Sequence, residues 1–133
     1  MRVSISRGLL EQIMSEAAAD RHEVCGLLLG EAGRIEAVLP AANVAPDPAR
    51  HFELDPAVLI AAHRDARAGG ARIVGHYHSH PGGLAVPSET DAACAAPDGG
   101  LWLIVGGEAA RLWVAVPGQD GRVQFVEALL DIM

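Results

Sequence analysis

The sequence gathers its chemistry-bearing side chains into one short stretch and one residue well upstream of it. Gly75-His76-Tyr77-His78-Ser79-His80-Pro81 sets three imidazoles at alternate positions, and Pro87-Ser88-Glu89-Thr90-Asp91 adds a hydroxyl and a carboxylate soon after. Residues two apart on a strand project from the same face with Cα atoms about 6.6 Å apart, at roughly 3.3 Å per residue, so two such imidazoles can converge on one metal ion. On a helix the same pair would point to nearly opposite sides. The β-branched lead-in Ile73-Val74 supports the strand. His76 shares that face, so two adjacent pairs are available, whereas His76 and His80 would stand about 13 Å apart along an extended chain. Spacing alone does not choose between the pairs. Pro81 favours His78 and His80, because it ends the strand and turns the chain toward the element bearing Asp91.

A hydrolytic zinc site takes three protein ligands and leaves one position for water, an arrangement that His78, His80 and Asp91 satisfy. Such a site also needs a carboxylate that takes a proton from water and passes it to the leaving amine. Glu23 is the candidate, at the junction between the first helix and the apolar run Val24 to Leu29. Each feature has a plainer reading. Alternate histidines can be a solvated strand edge, Ser88 and Asp91 a capping pair, and Glu23 a surface residue. The combination of paired histidines, a proline turn and a carboxylate on a new element favours the metal site, and a capped helix terminus is a good place to fix a ligand.

The elements that must position these groups follow from periodicity. Val3-Ser4-Ile5 reads as a short strand and Ser6 as the cap of a helix whose Leu9, Leu10, Ile13, Met14 and Ala17 form one stripe, ending near Asp20-Arg21. Val24 to Leu29, closed by Gly30, reads as a buried strand, and a hairpin through Gly33 leads into Ile35 to Leu39. Asn43 to Arg50, with Pro46 and Pro48, is loop. Asp55-Pro56 opens a second helix that runs to about Ala68 and stops at Gly69-Gly70. Arg72 to His80 is the next strand, and a loop from Pro81 to Pro87 leads to a short helix opening at Ser88. Leu101 to Val105, Arg111 to Val116 and Val123 to Leu129 are three further strands. This order predicts a mixed α/β (α+β) fold in one domain, residues 1–133, with one central mixed, largely antiparallel β-sheet flanked by helices.

His-Glu-Val-Cys-Gly-Leu-Leu-Leu-Gly (22 to 30), Gly-His-Tyr-His-Ser-His-Pro (75 to 81) and Pro-Ser-Glu-Thr-Asp (87 to 91) together closely resemble the JAMM, or MPN-plus, metalloprotease domain in its compact prokaryotic form. That family's pattern is a glutamate ahead of a Gly-Leu-Leu-Gly strand, then HxHP, then Ser-x-x-Asp, and the resemblance extends to Asn43 and Phe52. It implies a cytidine-deaminase-like fold, His78, His80 and Asp91 as ligands of one zinc ion, Glu23 as the general acid/base, and Ser88 as a donor to the oxyanion. It implies hydrolysis of a peptide or isopeptide bond after the C-terminal Gly-Gly tail of a ubiquitin-like or sulfur-carrier protein. Lacking long insertions, the chain is expected to act on small carriers rather than polyubiquitin. The rival from another class is a noncatalytic interaction module of the same family, whose mark is loss of the ligands or the glutamate; here all are present. A zinc deaminase would need HxE with PCxxC, which Cys94-Ala95-Ala96-Pro97 does not supply.

Composition bounds the remaining possibilities. A net charge of −7 without any basic run excludes a partner bound mainly through phosphates, so no nucleic acid is expected. No stretch approaches the roughly 20 apolar residues of a membrane helix. The N-terminus lacks the pattern of a signal peptide, and two cysteines without CxxC spacing point to a reduced, cytoplasmic compartment. Cys25 and Cys94 read as packing residues, and His22, His51 and His63 as surface or loop residues. His76 reads as a half-buried strand residue, with a groove-lining role as the sharper alternative. Oligomeric state is open, a homodimer included.

Overall fold

Local chemistry sets the first elements. The computed structural model describes residues Met1–Met133, and β1 (Arg2–Ile5) leads straight into α1 (Arg7–Ala18), whose cap is Ser6: its Oγ accepts the Leu9 N–H at 3.2 Å. Leu10 and Ile13 are buried on the predicted stripe. The helix stops earlier than Asp20-Arg21 because the Asp20 side chain accepts the His22 N–H at 2.9 Å, a local turn that competes with another helical residue.

β2 (Cys25–Glu31) and β3 (Arg34–Ala41) form the expected hairpin, followed by α2 (Pro56–Arg67), β4 (Arg72–Ser79), α3 (Glu89–Cys94), β5 (Leu101–Gly106), β6 (Ala109–Pro117) and β7 (Val123–Ile132). Asp55 caps α2 by accepting the Ala57 N–H at 3.0 Å, with Pro56 in the first turn. The mixed α+β class is as the sequence predicts, but the sheet does more than lie between helices: in the order β1-β3-β2-β4-β5-β6-β7 it closes into a barrel. β1 closes it, pairing in parallel with β3 on one side and β7 on the other. β4 and β5 are also parallel, while β2·β3, β2·β4, β5·β6 and β6·β7 are antiparallel. β7 continues to Ile132, past the expected Leu129, because its last residues pair with β1.

The core draws Val3 and Ile5 of β1, Leu10 and Ile13 of α1, Leu28 of β2, and Leu101, Leu103 and Val105 of β5 into one cluster. Fully burying each such side chain stabilises the fold by about 1.5–3 kcal/mol. Tyr77 belongs to this cluster, fully buried, and its hydroxyl donates to Glu16 Oε2 at 2.9 Å, tying α1 to β4. Its ring lies over Gly26, where any Cβ would collide with it. The strand alternation then sends His76 and His78 to the opposite face. No helix is long and apolar enough to cross a membrane.

Candidate metal centre

β4 lies between β2 and β5, with His78 opposite Cys25 on one side and Ile104 on the other, and its side chain is fully buried. Phe52 stacks on it at 4.3 Å with an interplanar angle of 19°, and the Trp102 ring stands edge-on at 5.7 Å. β4 ends at Ser79, yet the His80 N–H donates to the Val105 carbonyl at 2.8 Å, which carries the parallel pairing one residue further and keeps His80 on the side of His78. The His80 Nδ1–H donates to the Leu84 carbonyl at 2.9 Å, which turns Nε2 toward His78 and Asp91.

Asp91 arrives from α3. Ser88 Oγ accepts the Asp91 N–H at 3.0 Å, and Asp91 Oδ2 accepts the Ser88 N–H at 2.9 Å, a complete capping box. That fixes the buried carboxylate against the histidines. His78 Nε2 and His80 Nε2 are 3.0 Å apart, and Asp91 Oδ2 lies 3.3 Å from the first and 3.1 Å from the second. Donors bound tetrahedrally at the usual 2.0–2.2 Å of zinc stand about 3.3–3.5 Å from one another. The three atoms therefore already form a triangle of nearly the size a zinc ion requires, from the nitrogen and oxygen donors it prefers.

The electrostatics agree. Burial alone would raise the Asp91 carboxyl, but hydrogen bonds from both histidines and the Ser88 N–H outweigh it and hold the group far below the usual carboxylate range. Burial lowers His78. It would lower His80 too, but the Asp91 carboxylate and the Leu84 carbonyl more than offset it, so His80 is raised. The Asp91 carboxylate thus favours a proton on His80, which a bound cation would replace.

Glu23 faces this cluster from two residues ahead of β2. It is buried, and its carboxylate and the two imidazoles lie within 4.8 Å of one another. Burial is the main reason its pKa rises to about 7; His80 lowers it and Asp91 raises it. The backbone around it is clamped. The Glu23 N–H donates to the Pro48 carbonyl at 2.7 Å, the Glu23 carbonyl accepts from Asn43 Nδ2 at 2.8 Å, and the next N–H, of Val24, donates to Ser79 Oγ at 2.9 Å. Asn43 also donates to the His51 carbonyl at 3.0 Å and accepts the Ala45 and Glu53 N–H groups at 3.1 Å each. Two carboxylates therefore approach one imidazole pair. Asp91 touches both nitrogens, and Glu23 stands off with a pKa suited to proton transfer.

All five residues singled out in the sequence meet at this point, Ser88 on its exposed rim. His76 stays outside: it is half-buried between Trp102 (4.2 Å) and Phe52 (5.3 Å), with Nε2 buried and unpartnered. Burial lowers its pKa to about 3, so it is neutral. Cys25 is buried, its thiol pushed up to about 12 chiefly by burial, which suits packing and not nucleophilic attack. Cys94 is a correction: it is exposed, because α3 ends there and turns it outward. His22 and His63 are exposed and His51 half-buried in its loop. The clamping role of Asn43 and Ser79 and the walls made by Phe52 and Trp102 escape a reading by spacing, since each acts across distant segments. An asparagine beside a proline-rich loop is the one local signal.

A family model described as prokaryotic homologues of the JAB domain matches residues 6–116. A desampylase from Haloferax volcanii is 37% identical over 110 residues, covering 77% of this chain and 79% of the relative. A probable TtuB-protein conjugate cleaving protease from Thermus thermophilus is 32% identical over 120 residues, covering 87% and 78%. Among solved structures, a JAB1/MPN domain protein from Archaeoglobus fulgidus superposes with a TM-score of 0.63 at 21% identity, covering 99% of this chain and 98% of that one, a likeness of fold.

Proposed function

The chain belongs to the family of prokaryotic JAB-domain homologues, the JAMM family its motifs resemble, and on that premise we propose that it is a zinc-dependent isopeptidase. Its substrate is a ubiquitin-like or sulfur-carrier protein, cut after the Gly-Gly of its C-terminal tail, and residues 1–133 form the one catalytic domain, acting in the cytoplasm. The observation that carries this reading is the triangle of His78, His80 and Asp91 donors, 3.0–3.3 Å on a side, with the Glu23 carboxylate beside it. The name of the Thermus relative, a cleaver of protein conjugates, supports the substrate class.

His78, His80 and Asp91 would hold a zinc ion, which when bound polarises the scissile carbonyl and lowers the pKa of the attacking water. Glu23 would accept a proton from the attacking water and return it to the departing amine, and its burial, which raises its pKa, favours holding that proton between the two steps. Ser88 Oγ accepts the Asp91 N–H, so its own O–H is free to donate to the oxyanion. The Leu84 carbonyl holds His80 in the tautomer whose Nε2 faces the site. Phe52 and Trp102 shield His78 from bulk water. Water is added across the amide, leaving a Gly-Gly carboxylate and a free amine.

The test is to incubate zinc-loaded protein with ubiquitin-like sulfur carriers joined to a lysine or extended past Gly-Gly, and to follow product mass. Carrier ending at Gly-Gly is the expected product. Intact conjugate after many turnover times, with zinc bound, would reject the activity.

A further inference from the structure

The loop 81–87 carries or leads into the groups that orient two of the metal-centre donors. The Gly83 N–H donates to the His80 carbonyl at 2.9 Å, curling the chain back so that the Leu84 carbonyl meets His80 Nδ1 at 2.9 Å. At its far end the loop runs into Ser88, whose Oγ and N–H set Asp91 through the capping box. Where the loop lies therefore decides where both donors point. Little of it is held by packing: Pro81, Gly82 and Leu84 are exposed, and Ala85 is its one buried residue.

Ala85 is held from β6. The Trp113 Nε1–H donates to the Ala85 carbonyl at 3.1 Å, and apart from the two bonds to His80 this is the only hydrogen bond that residues 81–87 make. Just before it, the loop backbone rests on Gly106 at the end of β5. A Cβ there would stand 2.7 Å from the Leu84 carbonyl carbon and 2.8 Å from the Gly83 oxygen. The bare backbone at 106 lets the loop settle, and the indole N–H fixes it in that seat. Trp113 is itself braced. It lies opposite Trp102 in the β5·β6 pairing, and the Arg111 guanidinium sits 4.9 Å from its ring centroid. That guanidinium is held in turn by Glu127 of β7, through Nε at 2.7 Å and Nη2 at 2.6 Å.

Resting on the zinc centre of the isopeptidase reading, we infer that Trp113 is a positioning residue for His80 and Asp91, acting through the backbone of the loop 81–87. It touches neither side chain. Its one contact falls between the two groups it serves: Leu84, one residue before Ala85, faces His80, and Ser88, three residues after, caps Asp91. A shift of the Ala85 carbonyl moves the Leu84 carbonyl with it, and His80 then loses the acceptor that turns its Nε2 toward the site. Because Ala85 is buried, its carbonyl has no ready replacement for the lost donor.

The experiment measures zinc affinity, and the visible bands of bound cobalt(II), in wild type, Trp113→Phe and Val114→Ala, each well below its unfolding temperature. Phe keeps a ring beneath Arg111 and removes the N–H. Val114→Ala trims the core on the opposite face of β6 and controls for lost stability alone. Trp113→Phe should bind zinc about ten-fold more weakly, as changes to partners outside the ligands do, and should alter the cobalt bands, which report donor geometry. Val114→Ala should lower Tm and leave both unchanged. Trp113→3-benzothienylalanine, of the same shape with sulfur in place of the N–H, should reproduce the Phe result without a packing defect. Zinc affinity and cobalt bands equal to wild type in that isostere, or the same changes in Val114→Ala, would overturn the assignment. No metal bound by wild type would reject the metal centre and this assignment together. The expected differences in binding without cleavage of any conjugate would reject only the isopeptidase reading.

Discussion

Glu23 carries the sharpest consequences at the scale of single residues. Its pKa stands at about 7 against an ordinary 4.5, so the folded protein binds its proton more tightly than the unfolded chain does. Stability from this group is then present at low pH and is lost as pH rises from about 4.5 through about 7. Metal-free Glu23→Gln should be more stable than metal-free wild type at pH 8, on the order of 2 kcal/mol in urea unfolding, with the gap closing near pH 4. The same substitution should lower kcat by about 10²–10⁴-fold in the conjugate assay, because the proton carrier is gone. A stabilising change that removes activity is what a group strained for chemistry produces. His80 gives a second pH effect. Its pKa is raised beside Asp91, and zinc must displace that proton. Zinc affinity should therefore fall as pH drops through the raised value and level off above it, measurable by competition with a chelating dye. The His78–His80 pair was legible in the sequence because strand spacing and Pro81 have direct geometric meaning. Asp91 gained its weight from following them. Glu23 was not legible by spacing: a carboxylate before a strand becomes special only once the strand is known to run beside β4.

At the scale of elements, the site depends on three segments meeting at one end of the sheet. β4 brings His78, its parallel pairing with β5 carries His80, and the capping box of α3 sets Asp91. Each had a local signal, and the boundaries came within a few residues of those read from periodicity. The clamp on Glu23 had only one, an asparagine beside a proline-rich loop. Asn43 bonds to backbone groups at both ends of the loop 44–53 and to Glu23, 20 residues upstream and ahead of β2, and the spacing of these partners follows no helix or strand period. Asn43→Ala should cost at least about 2 kcal/mol, since several backbone groups lose their partner together. It should lower kcat while zinc stays bound. Gly26 is equally specific. Gly26→Ala forces Tyr77 aside and should destabilise by about 1–3 kcal/mol, the usual cost of overpacking.

Over the whole molecule, the α+β class could be read from element order, but the closure of the sheet could not. It rests on β1, four residues long, pairing in parallel with both β3 and β7. Such contacts join the two ends of the chain, and no local pattern records them. The barrel so formed brings the ends of β2, β4 and β5 together around a cluster of buried donors, whose desolvation a cation would offset. Zinc at 100 times its Kd should accordingly add about 2.7 kcal/mol to stability, seen as a higher Tm that a chelator reverses. Two carboxylates face the imidazole pair, and the assignment of roles turns on which one holds the ion. The most direct measurement is the zinc content of Asp91→Asn and Glu23→Gln, purified side by side and checked for folding by circular dichroism. Glu23→Gln should keep one zinc per chain and Asp91→Asn should lose it; the reverse pattern would contradict the centre described here.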